Sequence, residues 1–114
     1  MAQPTLFPES GFRRLRLDIA YDGTHFFGWA TQPGHRTLQD LIEEAISRIS
    51  QTNIDSIVAG RTDAGVHATG QVIHVDVPDA MFDREITYLD LRYKLNRILD
   101  EDVRIMNVWL RHIL

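Results

Sequence analysis

Thr37-Leu38-Gln39-Asp40-Leu41-Ile42-Glu43-Glu44-Ala45-Ile46-Ser47-Arg48-Ile49 places Leu38, Leu41, Ile42, Ala45, Ile46 and Ile49 at i, i+3, i+4, i+7, i+8 and i+11. That is an unbroken apolar stripe with helical period. Thr37 is a good N-cap, and Asp40 and Glu43 put negative charge near the positive end of the helix. Upstream, Leu15, Leu17, Ile19 and Tyr21 alternate with Arg16, Asp18 and Ala20, the pattern of a half-buried strand that Asp22-Gly23 ends. Downstream, Asp55 to Ala59 predicts a short strand centred on Ile57-Val58-Ala59, and Gly60 to Gly70, with glycines at 60, 65 and 70, predicts a loop. Gln71 to Val77 alternates again, with Ile73, Val75 and Val77 on one face and Val72, His74 and Asp76 on the other, until Pro78 stops it.

A second helix is predicted from Thr87, with Tyr88, Leu91, Leu95 and Ile98 on one face and Leu99 alongside. Thr87-x-x-Asp90 repeats the Thr37-x-x-Asp40 start and implies the same capping need. Asp100-Glu101-Asp102 ends the element with charge unfavourable to a helix C-terminus, and a fourth strand runs from Val103 to about Leu110. Residues 1–13, with two prolines and no periodicity, are expected to be a flexible tail, and 14–114 a single α/β domain. The order βαββαβ, short connections and right-handed crossovers predict an α+β, ferredoxin-like fold. It has a four-stranded antiparallel sheet with two helices on one face. Such a fold hosts many functions, so the chemistry has to be sought in the loops.

Composition narrows the field. The chain has 114 residues, 44% hydrophobic and 25% charged, the balance of a globular domain. With no cysteine, disulfides, zinc thiolates, iron–sulfur clusters and cysteine nucleophiles are excluded. No apolar run approaches the ~18 residues of a membrane span, and Met1 to Pro8 lacks the features of a signal peptide. A soluble cytoplasmic protein, not associated with membranes, is expected. The net charge of −4 gives no whole-chain basic field for nucleic acid. Lys94 is the sole lysine among 12 cations, and arginine suits planar, bidentate contacts to phosphates and bases.

Two loops carry most of the chemistry. Tyr21-Asp22-Gly23-Thr24-His25-Phe26-Phe27-Gly28-Trp29 is dense in aromatics, which either roof the core of the sheet or form a stacking surface for nucleotides. Gly60-Arg61-Thr62-Asp63-Ala64-Gly65-Val66-His67-Ala68 follows a short strand and brings a guanidinium, a carboxylate and an imidazole together among small residues. Arg61 would keep Asp63 ionised, and a surface ion pair on an ordinary turn is the plainer alternative. Asp63 and His67 lack an obvious third ligand for a metal, and Walker, dinucleotide and serine-triad signatures are absent.

Tyr21-Asp22-Gly23-x-x-Phe26-x-Gly28-Trp29, then Arg36-Thr37-x-Gln39, then Gly60 to Ala68 with Gly70-Gln71-Val72, resemble the N-terminal half of the tRNA pseudouridine synthase A family. Leu95-Asn96 and Asp102-Val103 fit its later helix-to-strand signature. The resemblance implies that Asp63 is the essential aspartate, acting as nucleophile or base. It gives Arg61 the role of supporting that aspartate and filling the space of a flipped-out nucleotide. Thr62, His67, Tyr21 and Trp29 complete the implied supporting and RNA-binding set. Uridines of the tRNA anticodon stem and loop are the implied substrates, with no cofactor or metal, in a homodimer whose cleft binds RNA. Ala30 stands where the family commonly has Gln, and Asp100 where Pro is usual. The chain is also expected to stop near the family's midpoint, short of a second domain with further active-site residues.

Two other functions are compatible with the same residues: a non-catalytic ferredoxin-like RNA-binding or interaction module, and a metal-dependent hydrolase built on Asp63 and His67. A further expectation is that the sheet face opposite the helices, carrying Val72 and His74, exposes apolar surface and drives self-association.

Overall fold

The computed structural model describes residues 5–60, 65–83, 86–111 and 113. Its elements are β1 (Phe12–Tyr21), α1 (Leu38–Ser50), β2 (Ser56–Val58), β3 (Ala68–Pro78), α2 (Tyr88–Ile98) and β4 (Val103–Arg111), in the predicted order. The four strands form one sheet in the order β2-β3-β1-β4, with every neighbouring pair antiparallel. The α+β, ferredoxin-like architecture expected from the sequence is therefore observed.

Register explains the alternation, because residues directly opposite one another share a face. Leu17 pairs with Ile73 and Val108, and Leu15 with Val75 and Leu110. Of these, Leu15, Leu17, Ile73 and Val75 are core residues together with Ile19, Val77, Val103 and Ile105, against Leu38, Ile42, Ala45 and Ile46 of α1 and Leu91 and Leu95 of α2, while Val108 packs at the edge and Leu110 is exposed. Both helices thus cover the same face of the sheet. Thr37 and Thr87 each cap a helix by accepting from the amide of the residue three positions on. Only Asp90 reaches back to complete a capping box, because the Asp40 carboxylate accepts from the Thr31 hydroxyl.

Two strands are longer than their patterns. β1 takes in Phe12 and Arg13, the last residues of the stretch expected to be a tail, because β3 extends through Pro78 to pair with them. β3 begins at Ala68 instead of Gln71. Thr5 and Leu6 are also engaged, through the Thr5 hydroxyl and the Leu6 carbonyl, which accept from the buried Arg14 guanidinium.

The open face of the sheet is mostly polar and ionic where apolar exposure was expected, although Trp109 on it is half exposed. It carries Arg14, Arg16 and Asp18 of β1 beside Asp76 and His74 of β3 and Asn107, Trp109 and Arg111 of β4. Arg14 grips Asp76 through Nε and a terminal nitrogen, at 2.7 and 2.9 Å. Asp18 accepts from Arg16 at 2.9 Å and from the Trp109 indole at 2.9 Å. Val72 lies within this polar network and is half-buried. His74, between Ile57 and Arg16, has a buried Nε2 without a hydrogen-bond partner among the described residues.

Both breaks in register fall at the end of β1, between Asp18 and Ile19 toward β4 and between Ile19 and Tyr21 toward β3. Such bulges bend a strand locally and re-aim the residues beyond it. Here they lead into the loop that follows Tyr21.

Candidate active site

The site is assembled where β1 ends and the β2–β3 loop returns. Asp22 leaves the sheet with its amide donating to the Asp102 carbonyl at 2.9 Å. Its carboxylate caps the 3-10 turn Gly23–His25, accepting from the Thr24 amide at 3.0 Å and the Thr24 hydroxyl at 2.6 Å. Those bonds hold the Asp22 carboxyl below the usual carboxylate range.

Three contacts tie this turn to the returning limb of the second loop. The Gly23 amide donates to His67 Nδ1 at 3.0 Å, and the Gly65 amide donates to the Phe26 carbonyl at 3.2 Å. Between them, Gly23 sits against the Val66 backbone so closely that no β-carbon fits. Gly65 has φ +80°, a left-handed conformation that glycine adopts without penalty. At the neck of the loop, the Ala59 amide donates to the Val72 carbonyl at 3.0 Å, and the Gln71 side chain donates to the Gly60 carbonyl. Both ends of the Gly60–Ala68 motif are thereby fixed. Arg61, Thr62 and Asp63 lie outside the described residues.

The remaining predicted residues separate into two groups. His67 faces solvent, with Nδ1 3.1 Å from the Asp22 carboxylate as well as on the Gly23 amide. Tyr21 and Trp29 are core residues, 5% and 1% exposed, with ring centroids 6.3 Å apart. They lie beneath the loop and do not present their rings at its surface. Phe26 is buried too, under the Arg36 guanidinium at 3.9 Å from its ring centroid. Phe27 alone of the three loop aromatics is exposed.

Arg36, which the sequence offered only as part of the Arg36-Thr37-x-Gln39 block, ties this loop to the acidic run after α2. Its fork spans Asp100 at 2.6 Å and Asp102 at 3.1 Å, while one nitrogen also reaches the His25 carbonyl at 3.4 Å. The acidic run after α2, unfavourable for a helix end, is thus the counter-charge of a loop far away in sequence. No local pattern could reveal that pairing.

Thr24, His25, Phe26, Phe27 and Gly65 line an open cavity of about 500 Å³. Among the described residues no three His, Asp or Glu side chains are grouped to hold a metal. What the geometry offers is an aromatic- and histidine-lined recess beside a doubly anchored loop that carries a carboxylate and a guanidinium in its sequence.

Residues 19–97 match the family model for tRNA pseudouridine synthase, a span that includes both loops. The chain belongs to the tRNA pseudouridine synthase family. It is 50% identical over 99 residues to tRNA pseudouridine synthase A of Frankia casuarinae, covering 86% of this chain and 34% of that protein. It is 46% identical over 104 residues to the Mycobacterium leprae protein of the same name, covering 83% and 36%. The Fervidobacterium nodosum protein, also so named, is 41% identical over 100 residues, covering 88% and 39%. The chain therefore spans about a third of the length of these relatives, less than the half expected from its motifs. No helix among the described residues is long and apolar enough to cross a membrane.

Proposed function

We propose that this chain is the aspartate-bearing part of a tRNA pseudouridine synthase and that Asp63 is its catalytic residue. The observation that carries this is the anchoring of the Gly60–Ala68 motif, at its neck by Gln71 and on its return by Gly23 and Phe26. Isomerisation of uridine breaks the bond from ribose C1′ to ring N1 and forms one from C1′ to ring C5; C5 loses its proton to solvent and N1 takes one up. No electrons leave the substrate, so the reaction needs no redox carrier. It needs an ionised carboxylate held against the nucleoside and groups that retain the freed uracil while it turns. Asp63 takes the first role, as nucleophile or base. Arg61 has the role of filling the place of the extruded nucleotide and keeping Asp63 charged, and Thr62 and His67 have supporting and RNA-binding roles.

The substrate is a uridine of the tRNA anticodon arm, reached by flipping it from its stack at a cost of a few kcal/mol. The working protein is a cytoplasmic homodimer in which the remaining two-thirds seen in the relatives completes the RNA cleft. Tritium release from tRNA labelled at uridine C5 tests the assignment. The chain, alone and supplied with the remaining part of the Frankia casuarinae relative, is compared with Asp63→Ala. Release that depends on Asp63 is expected in the complemented sample. Equal release from both proteins would overturn the assignment, and RNA binding without any release would identify a non-catalytic RNA-binding module.

A further inference from the structure

We infer that Phe27, backed by His35, is a stacking platform for an unpaired nucleobase next to the target uridine, an inference that rests on the RNA substrate proposed above. The rings of Phe27 and His35 lie 4.3 Å apart at 36°, and Phe27 remains 49% exposed despite that contact. Its backbone is held on both sides: the amide donates to the Arg36 carbonyl at 2.8 Å and the carbonyl accepts from the Gln32 side chain at 2.8 Å. The Gln32 carbonyl in turn accepts from the His35 amide at 3.1 Å, closing the loop behind the two rings.

A half-exposed phenyl ring contributes little to the fold, yet the backbone of this one is fixed in place. It forms a wall of the cavity shared with Thr24, His25, Phe26 and Gly65. Gly65, which shares that cavity with Phe27, stands two residues after Asp63 in sequence. Phe26 cannot serve, because Arg36 covers it, and Trp29 is buried. A planar base is the occupant that this wall fits: stacking on an aromatic face tolerates any base, and the His25 ring offers a polar partner for its edge. A rigid ring also loses little entropy on binding, which favours an interaction surface over a packing role.

The test measures binding of the full chain, supplied with the remaining part of the Frankia casuarinae relative as in the release assay, to a fluorescein-labelled RNA stem-loop with the sequence of an anticodon arm, by fluorescence anisotropy. Phe27→Ala is expected to raise Kd about tenfold, the usual scale for loss of one stacked base. Phe27→Leu should behave like Phe27→Ala, since it restores bulk without a π face, and Phe27→Trp should bind at least as well as wild type. Tyr93→Ala, which removes a 65% exposed ring on α2, should change nothing. A fully paired duplex of the same length should show no dependence on residue 27. Unaltered binding by Phe27→Ala, equal losses on stem-loop and duplex, or no binding by wild type would each overturn the platform, as would a loss confined to self-association. Tritium release is read separately. Asp63-independent release with Phe27-dependent binding would strike the catalytic assignment alone, and the reverse would strike the platform alone.

Discussion

Gly23 lies directly against the backbone of Val66, so close that a side chain at residue 23 would overlap the Val66 carbonyl oxygen. Forty-three positions separate the two in sequence, and the contact joins the turn after β1 to the returning limb of the Gly60–Ala68 loop. Two hydrogen bonds flank it, from Gly23 to His67 and from Gly65 to Phe26. Backbone on backbone leaves nothing flexible to give way.

Gly23→Ala should therefore force the loops apart. We expect a loss of about 1–3 kcal/mol in urea unfolding, the range for overpacking, with faster amide exchange at Gly65. Gly11→Ala is the contrast, since Gly11 has φ +86° and open space around its α-carbon. It should cost about 1 kcal/mol through backbone conformation alone and leave Gly65 exchange unchanged.

Arg36→Met should lower stability by about 1–2 kcal/mol, combining two partly exposed ion pairs with the cation–π contact on Phe26. The guanidinium is about a third exposed, so solvent screening keeps the figure modest. Arg36→Lys should recover less than half, because an ammonium cannot span Asp100 and Asp102 while lying flat on a ring. Denaturant titration of the three proteins gives the comparison. Chemical shifts of Phe26 and Gly65 show whether the loop moves with it.

His74 makes stability depend on pH. Burial, with Arg111, Arg14 and Arg16 nearby, lowers its pKa below the ordinary 6.5. As the pH falls past that ordinary value the unfolded chain takes up the proton before the folded one, so stability drops until the folded His74 also titrates. His74→Gln should flatten this slope. Urea midpoints for wild type and variant between about pH 7.5 and 5 provide the check, and parallel slopes would remove His74 as the cause.

Trp109→Phe should raise the pKa of Asp18. Burial pulls that carboxyl upward, but donors from Trp109, Arg16 and Asn107 outweigh it and hold it below 3.8. A depressed carboxyl stabilises the fold above its unfolded pKa, and that contribution is lost as pH falls through the folded value. Removing the indole donor should therefore cost about 1 kcal/mol at neutral pH and less in acid. Carbon-detected titration of Asp18 together with unfolding at pH 7 measures both effects.

Periodicity alone gave the strands, the helices and their order, because Leu15, Leu17 and Ile19 or Leu38, Ile42 and Ile46 carry their burial in their spacing. The motif residues were legible too, since Gly60 to Ala68 is contiguous. Separating Phe26 and Trp29 from Phe27 was beyond any local pattern. All three are apolar, and only the position of Arg36 and the depth of the core decide which ring meets solvent. The ionic character of the open sheet face was hidden for a related reason. Arg14 and Asp76 are opposed by strand register, and a charge neutralised by a distant partner looks the same in sequence as a solvated one.

The sequence by itself determined the elements, their caps and the two loops that carry the family's motifs, since those follow from short-range spacing and side-chain type. Tertiary structure decided how the loops are joined, through Gly23 on Val66 and Arg36 on Asp100 and Asp102. Contacts between distant segments depend on where folding places their backbones, which local preference does not encode.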